Sequence, residues 1–126
     1  MVKLVFCLRR LPHLSRAEFQ RYWREQHGPL VRESAKALGI RRYVQVHTLD
    51  TPANEGLRRG RGGPEAYDGV AELWFDSLDA LSAAGATPEG RAAGRRLLED
   101  ERTFIDLAHS PVMVAEEHQV VGAPSR

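Results

Sequence analysis

Four side chains, His27, Tyr43, His47 and Glu72, could move protons in this 126-residue chain. An imidazole titrates near neutral pH, and a carboxylate among apolar walls has its charged form disfavoured. Such a pair, placed across an acidic C–H or a leaving hydroxyl, is enough for general acid–base chemistry. Phe6, Gln45 and Trp74 could line the same space, with apolar walls and one amide to orient a small aromatic ligand. Each residue also has a plainer use. Tyr43 and Trp74 suit a core that satisfies their polar atoms. Glu72 could join an interface ion pair, His47 could stand exposed at a strand end, and His27 could bond the last carbonyls of a helix.

Other chemistries find little support. His13, His27, His47, His109 and His118 are scattered, with no His-x-His, no His-Glu-x-x-His and no paired cysteines, so no metal site is expected. Gly60-Arg61-Gly62-Gly63 lacks the βαβ context of a nucleotide site, and no serine or cysteine sits in a nucleophile elbow. The expectation is a chain that needs no cofactor. A single cysteine, Cys7, excludes an internal disulfide and fits a reducing cytoplasm. It lies in an apolar strand and reads as a buried, inert thiol. A net charge of +1 gives no whole-chain case for nucleic acid. Arg58, Arg59 and Arg61 lie among glycines without the interleaved aromatics of a single-strand RNA binder. No run approaches the roughly 18 apolar residues of a membrane span. Neither a nucleic-acid nor a membrane partner is expected.

The elements that would position these side chains can be read from pattern. Residues 1–126 form one domain. The first strand covers residues 2–9, with Leu4, Phe6 and Leu8 on one face and Val5 and Cys7 on the other. Ser15 and Glu18 spell a capping box, and Phe19, Tyr22, Trp23 and Gln26 share one helical face. Gly28-Pro29 predicts an interruption, because the residue before proline is pushed out of the α region. A second helical piece then runs to Gly39, a C′ glycine. Residues 40–49 alternate, Tyr43, Gln45 and His47 against Val44, Val46 and Thr48. Residues 51–66 read as a long loop insertion. Asp68–Phe75 is the third strand, with Val70, Glu72 and Trp74 on one side. A helix broken at Gly85–Pro88 follows, then a strand over Pro111–Glu117 and a tail at about 119–126.

The order is βαββαβ, an α+β ferredoxin-like arrangement: an antiparallel four-stranded sheet with helices on one face. Strands one and three are apolar on both sides, so the uncovered face needs a partner, and a twofold-related copy is the usual solution. Two facing sheets would form a dimeric α+β barrel. With Val44 and Val46 under the helices, Tyr43, Gln45 and His47 would face the enclosed space, joined by Glu72 and Trp74.

Three blocks carry a family resemblance. They are Phe19-x-x-Tyr22-Trp23-x-x-x-His27-Gly28-Pro29-Leu30-Val31, the stretch Tyr67–Ser77, and Phe104-Ile105-Asp106 followed by Pro111-Val112-Met113-Val114. In this order, over residues 2–120, they resemble the EthD family of the dimeric α+β barrel superfamily. That resemblance implies a homodimer and independently favours His27. The resulting expectation is an EthD-like homodimeric enzyme acting on a small hydrophobic, aromatic or polyketide-type molecule. Its chemistry would be cofactor-free dehydration, cyclisation or oxygenation. The competing expectation is a non-catalytic dimer that binds a small hydrophobe, and an RNA-binding module is a third option.

Overall fold

A computed structural model describes residues 1–123. The chain begins with strand β1 (Val2–Leu8) and turns into helix α1 (Arg16–Tyr22). The capping box forms: the Glu18 amide donates to Ser15 Oγ at 3.1 Å, and the Ser15 amide donates to Glu18 Oε1 at 2.9 Å. The helical path does not stop at Gly28-Pro29. Gly28 keeps helical angles, φ −52° and ψ −48°, and the preceding turn, Trp23–His27, widens into a π-turn. Without a Cβ, Gly28 escapes much of the clash that proline imposes on its predecessor. The predicted interruption is therefore a change of pitch rather than a break. Helix α2 (Gly28–Leu38) continues to Gly39, which takes φ 74° as expected for a glycine that ends a helix.

Strands β2 (Arg42–His47), β3 (Gly69–Phe75) and β4 (Val112–Ala115) join β1 in one antiparallel sheet of order β2-β3-β1-β4. This is the ferredoxin-like sheet expected from the element order. Between β2 and β3 the structure differs from the expected loop. Helix α3 (Pro52–Arg61) occupies most of residues 51–66. Thr51 Oγ1 accepts from the Ala53 amide at 3.3 Å, Glu55 pairs with Arg58 and Arg59, and Gly62 closes the helix at φ 64°. None of its residues is buried. It is a helix of caps and side-chain pairs with no apolar stripe, which is why hydrophobic periodicity does not reveal it. After β3 come α4 (Leu78–Ala83), a 3-10 turn at Ala84–Ala86, and α5 (Pro88–Glu101). No regular element follows β4 through residue 123, consistent with a tail; its residues 124–126 lie outside the described residues.

Cross-strand partners fix the faces. Leu4, Phe6 and Leu8 share a side with Leu73, Ala71 and Gly69, and Tyr43, Gln45 and His47 share it too. This side carries the helices, since His47 stacks on Trp23 at 4.5 Å and Gln45 donates to the Trp23 carbonyl at 2.9 Å. The phase of β2 is thus opposite to the expectation: Val44 and Val46 point away from the helices. The polar residues go inside because they satisfy one another and a helix carbonyl there. Leu8, Phe19, Trp23, Ala71, Phe104 and Ile105 form the core beneath α1. On the other side lie Val5, Cys7, Val44, Val46, Val70, Glu72, Trp74 and Met113. Cys7 is half-buried there, not sealed in a core. Among the described residues no helix is long and apolar enough to cross a membrane.

Gly69 is where β3 passes under Trp23. A Cβ there would lie 2.8 Å from the Val46 carbonyl oxygen and 2.9 Å from Trp23 Cη2. Gly69→Ala should therefore cost ~2–3 kcal/mol in urea unfolding. An unchanged unfolding midpoint would show that the indole can move aside freely.

Candidate functional site

The π-turn decides what the first helical region presents. Tyr22 and His27 are five residues apart, which on a regular α-helix puts them about 140° around the axis. With the wider turn between them, both reach one carboxylate. The Tyr22 hydroxyl donates to Asp100 Oδ1 at 2.5 Å, and His27 Nδ1 meets Asp100 Oδ2 at 2.7 Å. Gly28 N–H bonds to the Trp23 carbonyl and closes this turn. Phe104 packs its ring 5.1 Å from His27 and 4.9 Å from Tyr22.

Asp100 comes from the last turn of α5, whose start is fixed by Thr87 Oγ1 accepting from the Gly90 amide at 2.9 Å. The next residue, Glu101, reaches the other side of the imidazole, with Oε2 4.0 Å from His27 Nε2. That is too long for a hydrogen bond, and the Glu101 carboxylate makes none to the described residues. A hollow of about 40 Å³ lies here, lined by Phe6, Leu73, Leu97, Tyr43, His27 and Glu101 among others. Phe6, Leu73, Leu97 and Glu101 also line a larger cleft of about 530 Å³ between the sheet and the helices. Its remaining walls are almost wholly apolar, including Leu4, Leu38, Phe75, Leu81 and Val112. The one other polar wall residue, Ser110, is occupied: its hydroxyl donates to the Asp106 carbonyl and accepts from the Arg9 amide. Among the described residues Glu101 is thus the one titratable group lining this cleft.

The surroundings set protonation. Burial, reinforced by the charge of Asp100, pushes Glu101 up to about 7. Burial lowers His27 against the opposing pull of Asp100. Burial thus favours the uncharged imidazole. The Asp100 carboxylate can only accept at Nδ1, so the ring proton sits there and Nε2 offers a lone pair towards the hollow. A base held by a carboxylate faces an acid close to half-protonation. Between them they can take a proton from one atom of a ligand and supply one to another.

Of the residues singled out by sequence, the structure brings together His27, Tyr43 and Phe6. Burial raises Tyr43, whose hydroxyl accepts from Gln45 Nε2 at 2.9 Å. Gln45 Oε1 in turn meets His47 Nε2 at 2.8 Å. Burial and then the Arg24 charge lower His47. Gln45 and His47 lie outside the hollow, and with Tyr43 they fasten β2 to the π-turn. Glu72 and Trp74 are not in the site at all. They occupy the opposite side of the sheet, where Lys3 Nζ sits 2.6 Å from Glu72, and Lys3 and Arg42 lie over the Trp74 ring. The single cavity expected to hold Glu72, Trp74, Phe6, Tyr43 and His47 does not form, because the sheet stands between its two halves. Tyr22, Asp100 and Glu101 are the residues missed. One signal could have marked the two acids: Glu99-Asp100-Glu101 ends a helix that has no base in its last turn, against the helix dipole. Among the described residues no group of three or more potential ligands could hold a metal ion.

The EthD domain profile matches residues 11–108. An EthD (ethyl tert-butyl ether D) family protein of Bacillus halodurans C-125 is 25% identical, with a TM-score of 0.61 over 94% of this chain and 99% of its own. The cofactor-independent oxygenase SnoaB of Streptomyces nogalater is 18% identical, with a TM-score of 0.54 over 97% of each chain. A dimeric ferredoxin-like protein of Jannaschia sp. CCS1 is 15% identical, with a TM-score of 0.55 over 92% of this chain and 98% of its own. The last two likenesses are of fold. Among curated protein sequences none matches significantly.

Glu101 gives the site a pH signature. Its folded pKa is raised from 4.5 to about 7, so its share of stability is present below pH 4.5 and is lost as pH climbs through 7. His27, lowered from 6.5, works the other way and loses stability as pH falls. Comparing Glu101→Gln with the parent isolates the first effect. Between pH 4.5 and 8 the variant should gain about 3 kcal/mol relative to the parent in urea unfolding. A difference independent of pH would mean that Glu101 ionises as it would in water.

Proposed function

This chain belongs to the EthD domain family, and we propose that it is an enzyme acting on a small hydrophobic, aromatic or polyketide-type molecule held in the cleft between sheet and helices. One arrangement carries this reading: the Glu101 carboxylate, without a hydrogen-bond donor and pushed up to about 7 by burial, lines both an apolar cleft and the small hollow that it shares with the Asp100-held imidazole of His27. The ligand body lies along Leu4, Phe6, Leu73 and Leu97. His27 Nε2 accepts a proton from an acidic C–H or O–H of the ligand, and Asp100 stabilises the imidazolium formed. Protonated Glu101 supplies a proton to a developing oxyanion or a leaving hydroxyl. Proton abstraction followed by protonation of the leaving hydroxyl is a dehydration. Attack of the carbanion on an internal carbonyl is a cyclisation, and its reaction with dioxygen an oxygenation. These steps call on no group beyond the side chains and, for oxygenation, dioxygen. The fold likeness to a cofactor-independent oxygenase is compatible with the third.

The roles first assigned to His47 and Glu72 pass to other work. His47 positions β2 against Trp23. Glu72 and Trp74 belong to the uncovered side of the sheet, where Val46 is 45% and Met113 47% exposed. We assign that side to a second copy of the chain; the Jannaschia protein of like fold is itself dimeric. Val5, Val44, Val46 and Val70 supply apolar area, and the Lys3–Glu72 pair is already compensated, so neither charge would be buried alone.

With candidate anthrones and polyketide phenols as substrates, His27→Ala and Glu101→Gln should each lower kcat by about 10²–10⁴, while His47→Phe and Glu72→Gln stay within about threefold. Loss in the second pair with retention in the first would overturn the site. Ligand binding without any conversion would leave a non-catalytic hydrophobe-binding dimer. In sedimentation the parent should run as a dimer, and Val44→Asp with Val46→Asp should release monomers. A parent that is monomeric at micromolar concentration rules out the pairing.

A further inference from the structure

We infer that a groove on the outer side of Tyr43, between helix α2 and the edge strand β2, binds the oxyanion of a small organic molecule. The groove holds about 360 Å³; Arg24, Arg32, Arg41 and Arg42 are among the residues that line it, and no carboxylate residue is. Two of the four guanidinium groups are engaged elsewhere: Arg41 lies 3.5 Å from Asp76, and Arg42 stacks on Trp74 at 4.5 Å on the opposite side of the sheet, which leaves Arg24 and Arg32 to serve the groove. Arg24 and Arg32 have no carboxylate within 4.0 Å among the described residues. Gathering like charge on a concave wall is unfavourable unless an anion balances it. Elsewhere this chain does balance such gatherings, as where Asp68 takes both Arg10 and Arg16.

The floor indicates what accompanies the charge. Gly28 adds no side chain, and Val31, Ala35, Ile40 and the Tyr43 ring supply an apolar bed. The Tyr43 hydroxyl accepts from Gln45 and donates to no acceptor among the described residues, which leaves its proton for a ligand oxygen. Guanidinium forks and a phenol proton above an apolar bed suit a carboxylate or a phosphate carried on a ring or short chain. Val31 and Tyr43 also line the hollow beside His27, so the bound anion would be one side chain removed from the imidazole. The inference concerns binding and does not rest on turnover in the cleft.

Sodium benzoate, inorganic phosphate and uncharged benzyl alcohol, titrated at low salt and followed by ¹H–¹⁵N NMR, test it. Saturable shifts of the Gly28, Tyr43 and Gln45 amides are expected with the two anions and not with benzyl alcohol. The double variant Arg24→Gln with Arg32→Gln should weaken anion binding by about tenfold or more. Should it fold poorly, Arg32→Gln alone, at an exposed position, should weaken binding by about threefold. Tighter benzoate points to organic acids, tighter phosphate to phosphate esters. Linear shifts that never saturate, equal shifts with benzyl alcohol, or affinities unchanged in a folded variant would each overturn the assignment.

Discussion

The carbonyl of Trp23 takes two hydrogen bonds, one from the Gly28 amide five residues on and one from Gln45 across the gap to β2. The first of these widens a single helical turn, and the second ties that turn to the sheet. Nearly every feature of the site follows. The change of pitch lets Tyr22 and His27 converge on one aspartate, where a regular helix would have turned them apart. The same turn sets the Trp23 indole over Gly69 and against His47, which fixes the depth at which β2 and β3 lie. A π-turn sacrifices regular hydrogen bonding, and such turns gather where a side chain must be re-aimed.

Much of this was legible in the sequence, for physical reasons that can be named. Ser15 with Glu18, and Gly39, are local signals whose meaning depends on few neighbours, and both hold. Strands with apolar residues on both faces announced a sheet needing cover on both sides. The phase of β2 was not legible, because hydropathy ranks Val44 and Val46 above Tyr43, Gln45 and His47 for burial. What reverses the ranking is a network linking Tyr43, Gln45, His47 and a helix carbonyl, and no periodicity encodes that. Helix α3 was missed because it rests on a threonine cap, arginine–glutamate pairs and a closing glycine, with Leu57 left 57% exposed. The resemblance to EthD sequences pointed to His27 but named neither of the acids that flank it.

The sheet sorts the chain's polar side chains into two environments. On the helix side, few are charged and the cleft walls are apolar. On the other side, Lys3 bridges Glu72 and Glu117 at 2.6 and 3.1 Å and, with Arg42, lies over the Trp74 ring. A carboxylate in the second place is an anchoring group. In the first its charge is disfavoured and it keeps its proton to higher pH. This is why Glu72, attractive by type, and Glu101, unremarked by pattern, exchange roles once three-dimensional placement is known.

The strength of that distinction rests on how this chain treats its other buried or half-buried acids. Asp68 is buried, which opposes its charge, yet Arg10, Arg16 and the Arg10 amide hold it below the usual carboxylate range. Asp100 has the Tyr22 hydroxyl and His27 on its two oxygens. Glu101 alone among these is given an apolar cleft, a like-charged neighbour and no donor. Leucine at that position would fill the wall and remove an unfavourable charge from a helix C-terminus. Under the proposed reading the acid has a use there, because its proton has two places to go, the lone pair of His27 and the open cleft.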